Sequence, residues 1–94
     1  MEILKPYRAR IDALDDKIVD LLVERIGIIR EVGHLKAEHG IPATLQDRVD
    51  QVRERNADRA ASKGVDPEIV RTLYATLIAY SCELEEQIKR GEAA

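Results

Sequence analysis

Residues 5–39 read KPYRARIDALDDKIVDLLVERIGIIREVGHLKAEH, and the architecture turns on this one segment. Apolar residues recur at alternating spacings of three and four: Leu4, Tyr7, Ile11, Leu14, Ile18 and Leu21, then Ile28, Val32 and Leu35. That period is a heptad seam on an α-helix. Pro6 suits the first turn, where its missing N–H costs nothing, and the next proline is Pro42. A helix of this length spans roughly 50 Å at 1.5 Å per residue. The remaining chain is too short to cover such a rod. The spare apolar surface is therefore expected to meet a second copy, giving a homodimer built along this helix.

Two glycine–proline clusters close the long segment and divide the rest of the chain: Gly40-Ile41-Pro42 and Gly64-Val65-Asp66-Pro67. Between them, about Leu45 to Lys63, a second helix is expected. Thr44 with Asp47 suggests a capping box, Leu45, Val49 and Val52 form a thin apolar stripe, and Gly64 can follow the C-cap. A third helix is expected from about Pro67 to Arg90, with Asp66 as N-cap, Pro67 in the first position and Glu68 at the positive helix end. Val70, Leu73, Leu77, Leu84 and Ile88 make its seam, and the tail from Gly91 to Ala94 is expected to fray. The fold class is all-α: one domain over residues 1–94, with one long helix, two shorter ones and no strand.

Composition narrows the function. The chain has 94 residues, 45% apolar and 35% charged, with a net charge of −3 and a single cysteine, Cys82. No basic block suggests nucleic acid, and no run of 18 apolar residues suggests a membrane span. The first residues lack the apolar stretch of a signal peptide. One cysteine excludes an internal disulfide and a cysteine-rich zinc site. His34 and His39 are five apart, not the four of a helical metal pair. These features point to a soluble cytoplasmic protein.

A few residues break the helical pattern. The heptad count places Arg25 in the seam, where a guanidinium is costly unless an anion meets it. A structural ion pair and an anion site are both open readings. Lys36 lies eleven residues on, close to three turns, so both point to nearly one face with Cα atoms about 16 Å apart. Two long side chains so placed can converge on a small dianion, although an exposed lysine near a helix C-terminus is ordinary. Arg8 is 17 residues before Arg25, about 25 Å away and out of phase. It can join such a site only from another chain. Ser81 shares a face with Leu77, Leu84 and Ile88, and Glu85 follows beside Tyr74 and Ile78. A serine there commonly bonds back to its own helix. No nucleophile sits beside a base.

The run Arg8-x-x-Ile11-x-x-Leu14-Asp15, Leu21-Leu22-x-Glu24-Arg25 and Val32-Gly33-x-x-Lys36 resembles the AroQ class of chorismate mutase, the all-helical one. The resemblance extends over about residues 5 to 89, including Pro42, Asp47-Arg48 and Val65-Asp66. It implies an intertwined homodimer with two equivalent sites in the shikimate pathway, on the route to aromatic amino acids. The reaction implied is the pericyclic rearrangement of chorismate to prephenate, without metal or cofactor. Carried over by position, Arg25 and the partner subunit's Arg8 hold the two carboxylates. Lys36 donates to the ether oxygen, and Arg48 and Ser81 help bind a carboxylate.

This chain departs from the bacterial pattern twice. Val49 stands where many relatives carry a glutamate that contacts the substrate hydroxyl. Glu85 stands where they carry a glutamine that donates to the ether oxygen. An ionised carboxylate would repel that oxygen, so Glu85 must be protonated to assist, and activity is expected to rise toward acid pH. Val49 and Ile41-Pro42-Ala43 also resemble the isochorismate-pyruvate lyase branch, and Val49 suits a mutase for 4-amino-4-deoxychorismate. A non-catalytic dimeric helical module would explain the seam but not Arg25 with Lys36.

Overall fold

The computed structural model describes residues 1–92. A single 3-10 turn, Glu2–Leu4, leads into α1 (Lys5–His39), followed by α2 (Gln46–Ser62) and α3 (Pro67–Lys89), with no strand among the described residues. No helix there is long and apolar enough to cross a membrane.

The helix ends follow local chemistry. Pro6 sits in the first turn of α1, and Gly40 ends it in the left-handed region at φ 64°. The N–H groups of Gly40 and Ile41 both return to the Lys36 carbonyl, and glycine accepts that conformation without a Cβ clash. Asp66 caps α3, its side chain accepting from the Glu68 N–H at 2.9 Å. The start of α2 differs from expectation. Its N-cap is Leu45, with no side-chain hydrogen bond, so the Thr44–Asp47 box does not form. Thr44 lies one residue too early to serve the first turn. The fraying expected from Gly91 is not seen at its first two residues: Gly91 and Glu92 return N–H bonds to Ile88 and Gln87. Ala93 and Ala94 lie outside the described residues.

Packing is built around α3. Both other helices lie on it, while no Cα pair of α1 and α2 comes within 8 Å. Contact on two sides widens the buried arc of α3 beyond one seam: Ile78, Ser81, Leu84, Glu85 and Ile88 are all buried. Leu73, assigned to the seam by its spacing, is exposed instead. On α1 the buried residue is Gly33. A Cβ there would stand 3.0 Å from Ile88 Cδ1 and 3.4 Å from the Glu85 Cα, so glycine permits the close crossing with α3. Ala57 is the fully buried contact of α2. Glu54 adds a polar clip, accepting from Arg71 Nε at 3.0 Å and pairing with Arg53. The Arg53 and Arg71 guanidiniums hold the Glu54 carboxyl below its usual range. The clip is therefore complete at neutral pH and loosens only as pH falls through that lowered value.

The first part of α1 lies open to solvent. Every residue from Met1 to Glu24 is exposed. The molecule measures 55 × 28 × 14 Å with a radius of gyration of 16.6 Å, against about 12 Å for a compact domain of this length. The α1 seam also proves to be a different stripe from the one that meets α3. Ile28 and Leu35 remain exposed, while Ile26, Ile29, Gly33 and Lys36 turn inward.

Candidate active site

Because α1 and α2 stay apart, a gap opens between them with α3 as its floor. It forms a cavity of about 330 Å³. The second half of α1 supplies Arg25, Ile28, Ile29, Val32 and Lys36, and α2 contributes Arg48, Val49 and Val52. Ala43 and Leu45 come from the linker, and Ile78, Ser81 and Cys82 from α3. A second lobe of about 260 Å³ continues from Arg25, Arg48 and Val52 to Arg55, Asn56 and Tyr74.

Each cation is held from a different direction. Arg25 donates from Nη1 to Ser81 Oγ at 3.2 Å, and its guanidinium lies 6.0 Å from the centre of the Tyr74 ring. Ser81 donates in turn to the Leu77 carbonyl at 2.8 Å, so it bonds back to its helix and still receives the arginine. Lys36 donates to the Ala43 carbonyl at 2.8 Å, which ties the linker to α1. Its Nζ is also 2.6 Å from Glu85 Oε1. That contact is an ion pair without hydrogen-bond direction, leaving Oε1 buried with no hydrogen-bond partner. Arg48 donates to Gln51 Oε1 at 2.7 Å, at the exposed rim.

Arg25, Lys36, Arg48, Val49 and Ser81 thus meet in one cavity. Glu85 does not line it: the carboxylate stands behind Lys36, with a side chain only 6% exposed. Arg8 is exposed on the free half of α1 and is not part of the cavity wall. Spacing alone missed the Ala43 carbonyl, Cys82 and Tyr74. Tyr74 carried a signal, being two turns before Ser81; a backbone carbonyl in a linker carries none.

The wall contains three cations and no carboxylate, and the carboxylate behind Lys36 offsets one of them. The surplus of two positive charges, in a setting otherwise largely apolar, matches a small dianion. No nucleophile–base pair accompanies it. Fold and site together define an all-helical protein with a cationic cavity between its helices. The chorismate mutase type II family model matches residues 7–86, and the chain belongs to that family. It is 38% identical over 84 residues to a 4-amino-4-deoxychorismate mutase of Streptomyces pristinaespiralis, covering 89% of this chain and 65% of that protein. A second 4-amino-4-deoxychorismate mutase, from Streptomyces venezuelae, is 32% identical over 90 residues, or 96% of this chain and 87% of that one. A chorismate mutase of Methanocaldococcus jannaschii is 29% identical over 87 residues, with 93% and 88% covered. No solved structure matches.

Proposed function

We propose that two copies of the chain form a homodimer that rearranges chorismate to prephenate in two shared cavities. The observation that carries this reading is the convergence of Arg25, Lys36 and Arg48 on one cavity whose wall holds no acid. In the rearrangement the ether C–O bond breaks as a C–C bond forms, with no proton or electron exchanged with the protein. The enzyme has to fold a flexible dianion into its reactive shape and place cations where negative charge develops. Arg25, held by Ser81 and Tyr74, grips one carboxylate, with the partner subunit's Arg8 closing over the substrate. Arg48 and Ser81 serve the other carboxylate, and Lys36 reaches the ether oxygen.

Glu85 restrains Lys36 in the free state. Substrate binding has to draw the Lys36 ammonium away from this carboxylate and toward the ether oxygen. The charged group facing it from α1 is Lys36, with Gly33 and Ile88 packed alongside. Glu85→Gln, which removes that counter-charge, should change turnover while leaving the helical fold intact. Unchanged turnover in Glu85→Gln would remove Glu85 from the mechanism.

A second substrate reading has its own support. Two relatives carry the name 4-amino-4-deoxychorismate mutase, and on α2 Val49 lines the cavity where a hydroxyl-reading glutamate is expected. Chorismate, its 4-amino analogue and isochorismate, offered separately at pH 5.5 and 7.5 with products quantified, decide among these. Prephenate as the favoured product supports the first reading. Faster turnover of the amino analogue moves the assignment to the second. Salicylate and pyruvate from isochorismate would make the chain a lyase.

A further inference from the structure

The outer lobe contains a feature that the rearrangement itself leaves unexplained. Its wall adds Arg55 to Arg25 and Arg48, and again holds no carboxylate. Three arginines elsewhere are neutralised by acids: Arg53 pairs with Asp50 and Glu54, Arg71 with Glu54 and Glu68, Arg90 with Glu83 and Glu92. The three lobe arginines have no such acid. Arg25 is held by a hydroxyl and a ring, Arg48 by an amide, and Arg55 has no partner among the described residues. One Asn56 amide N–H is given to the Val52 carbonyl at 2.8 Å, and the charged donors of the lobe are the three guanidiniums.

Arg48 and Arg55 are seven residues apart on α2, two turns, so they stand on one face with Cα atoms about 10 Å apart. Three like charges around one lobe repel one another unless an anion enters. Glu54 is next to Arg55 in sequence but is committed to Arg53 and Arg71 on the α3 side. The lobe opens directly into the main cavity through Arg25 and Arg48. We infer that Arg55 is a substrate-binding residue outside the reacting centre: it takes a carboxylate of the incoming dianion and passes it inward to Arg48 and Arg25. It selects for dianions and speeds capture without touching the bonds that change. This inference rests on the dianion-rearranging function proposed above.

The test compares the full-length protein with Arg55→Gln and Arg55→Lys. Arg55 is exposed and unpartnered, so both variants should keep the helical circular dichroism of the parent. Arg55→Gln should lower kcat/KM about tenfold at low ionic strength, through KM, with kcat within about twofold. The gap should close as salt screens the site, and Arg55→Lys should restore most of the loss. A bicyclic dicarboxylate mimic of the folded substrate, titrated calorimetrically, reads binding without turnover. It should bind Arg55→Gln about tenfold more weakly, whereas its monoester should bind both proteins equally. Equal kcat/KM, salt dependence and diacid affinity in Arg55→Gln and the parent would overturn the inference while leaving the function intact. A parent protein that neither binds the diacid nor turns over any of the substrates above would overturn both.

Discussion

The two halves of α1 are one uninterrupted helix with the same apolar period, yet they live in different surroundings. From Arg25 onward the helix rests on α3, buries Gly33 and carries Arg25 and Lys36 into the cavity. From Lys5 to Glu24 every residue is exposed, and Tyr7, Ile11, Leu14 and Ile18 are each more than half exposed. A monomer rarely presents an apolar stripe of that length to water. The helix is longer than the core its own chain supplies, and the excess carries Arg8, the one expected site residue that neither lines the cavity nor stands behind its wall. On the homodimer proposed above, one second copy would cover the exposed first half and complete the cavity of the second half.

The largest effect should come from breaking the first half. Ile11 and Ile18 are exposed in a single chain, so replacing both by glutamate would there change stability by less than about 0.5 kcal/mol. In a dimer each replacement removes an apolar burial worth about 2 kcal/mol and adds an unpaired charge to the interface. The double variant should sediment as one chain, lose cooperative unfolding and have no mutase activity. Retention of a dimer with full activity would place the interface elsewhere.

The next prediction tests whether the two halves meet across subunits. Arg8→Ala and Arg25→Ala should each lower turnover by about a hundredfold or more, because the substrate carboxylates are no longer held in the reactive geometry. Unfolded together in equal amounts and refolded, half of the dimers should be hybrids. Every hybrid has one site with both substitutions and one with neither, so activity should return to about a quarter of the parent's. A site built within one chain would give no recovery.

How much of this was legible in the sequence tracks the same division. The helix ends were readable because Pro6, Gly40, Asp66 and Pro67 act through local backbone chemistry. Arg25 and Lys36 were readable because eleven residues on a helix return to one face. The start of α2 was not, since Leu45 is drawn into the cavity wall and the helix begins beyond the reach of Thr44. Nor was the seat of Glu85. Its position behind Lys36 depends on how closely α3 approaches Gly33 and on α2 covering the other side of α3. Periodicity within one helix does not register that second contact.

The smallest of these effects concerns the finished half, through Lys36 and Glu85. Lys36→Met should strand the Glu85 carboxylate, 4% exposed, without its ammonium, at a cost of about 3 kcal/mol. Glu85→Leu should cost less, because Lys36 keeps the Ala43 carbonyl and a side chain 15% exposed to water. The double variant should be nearly as stable as the parent, since apolar groups of similar size replace a buried pair at little net cost. The coupling from the four denaturation curves should be about 3 kcal/mol or more, and turnover should stay lost wherever Lys36 is absent. Additive losses would mean that the pair contributes nothing to stability in solution. Coupling in stability without recovery of turnover would show that the same ammonium holds α1 to α3 in the empty protein and serves the substrate when one arrives. The second half of α1 would then stand on its own chain for stability and still depend on the first half of another copy for chemistry.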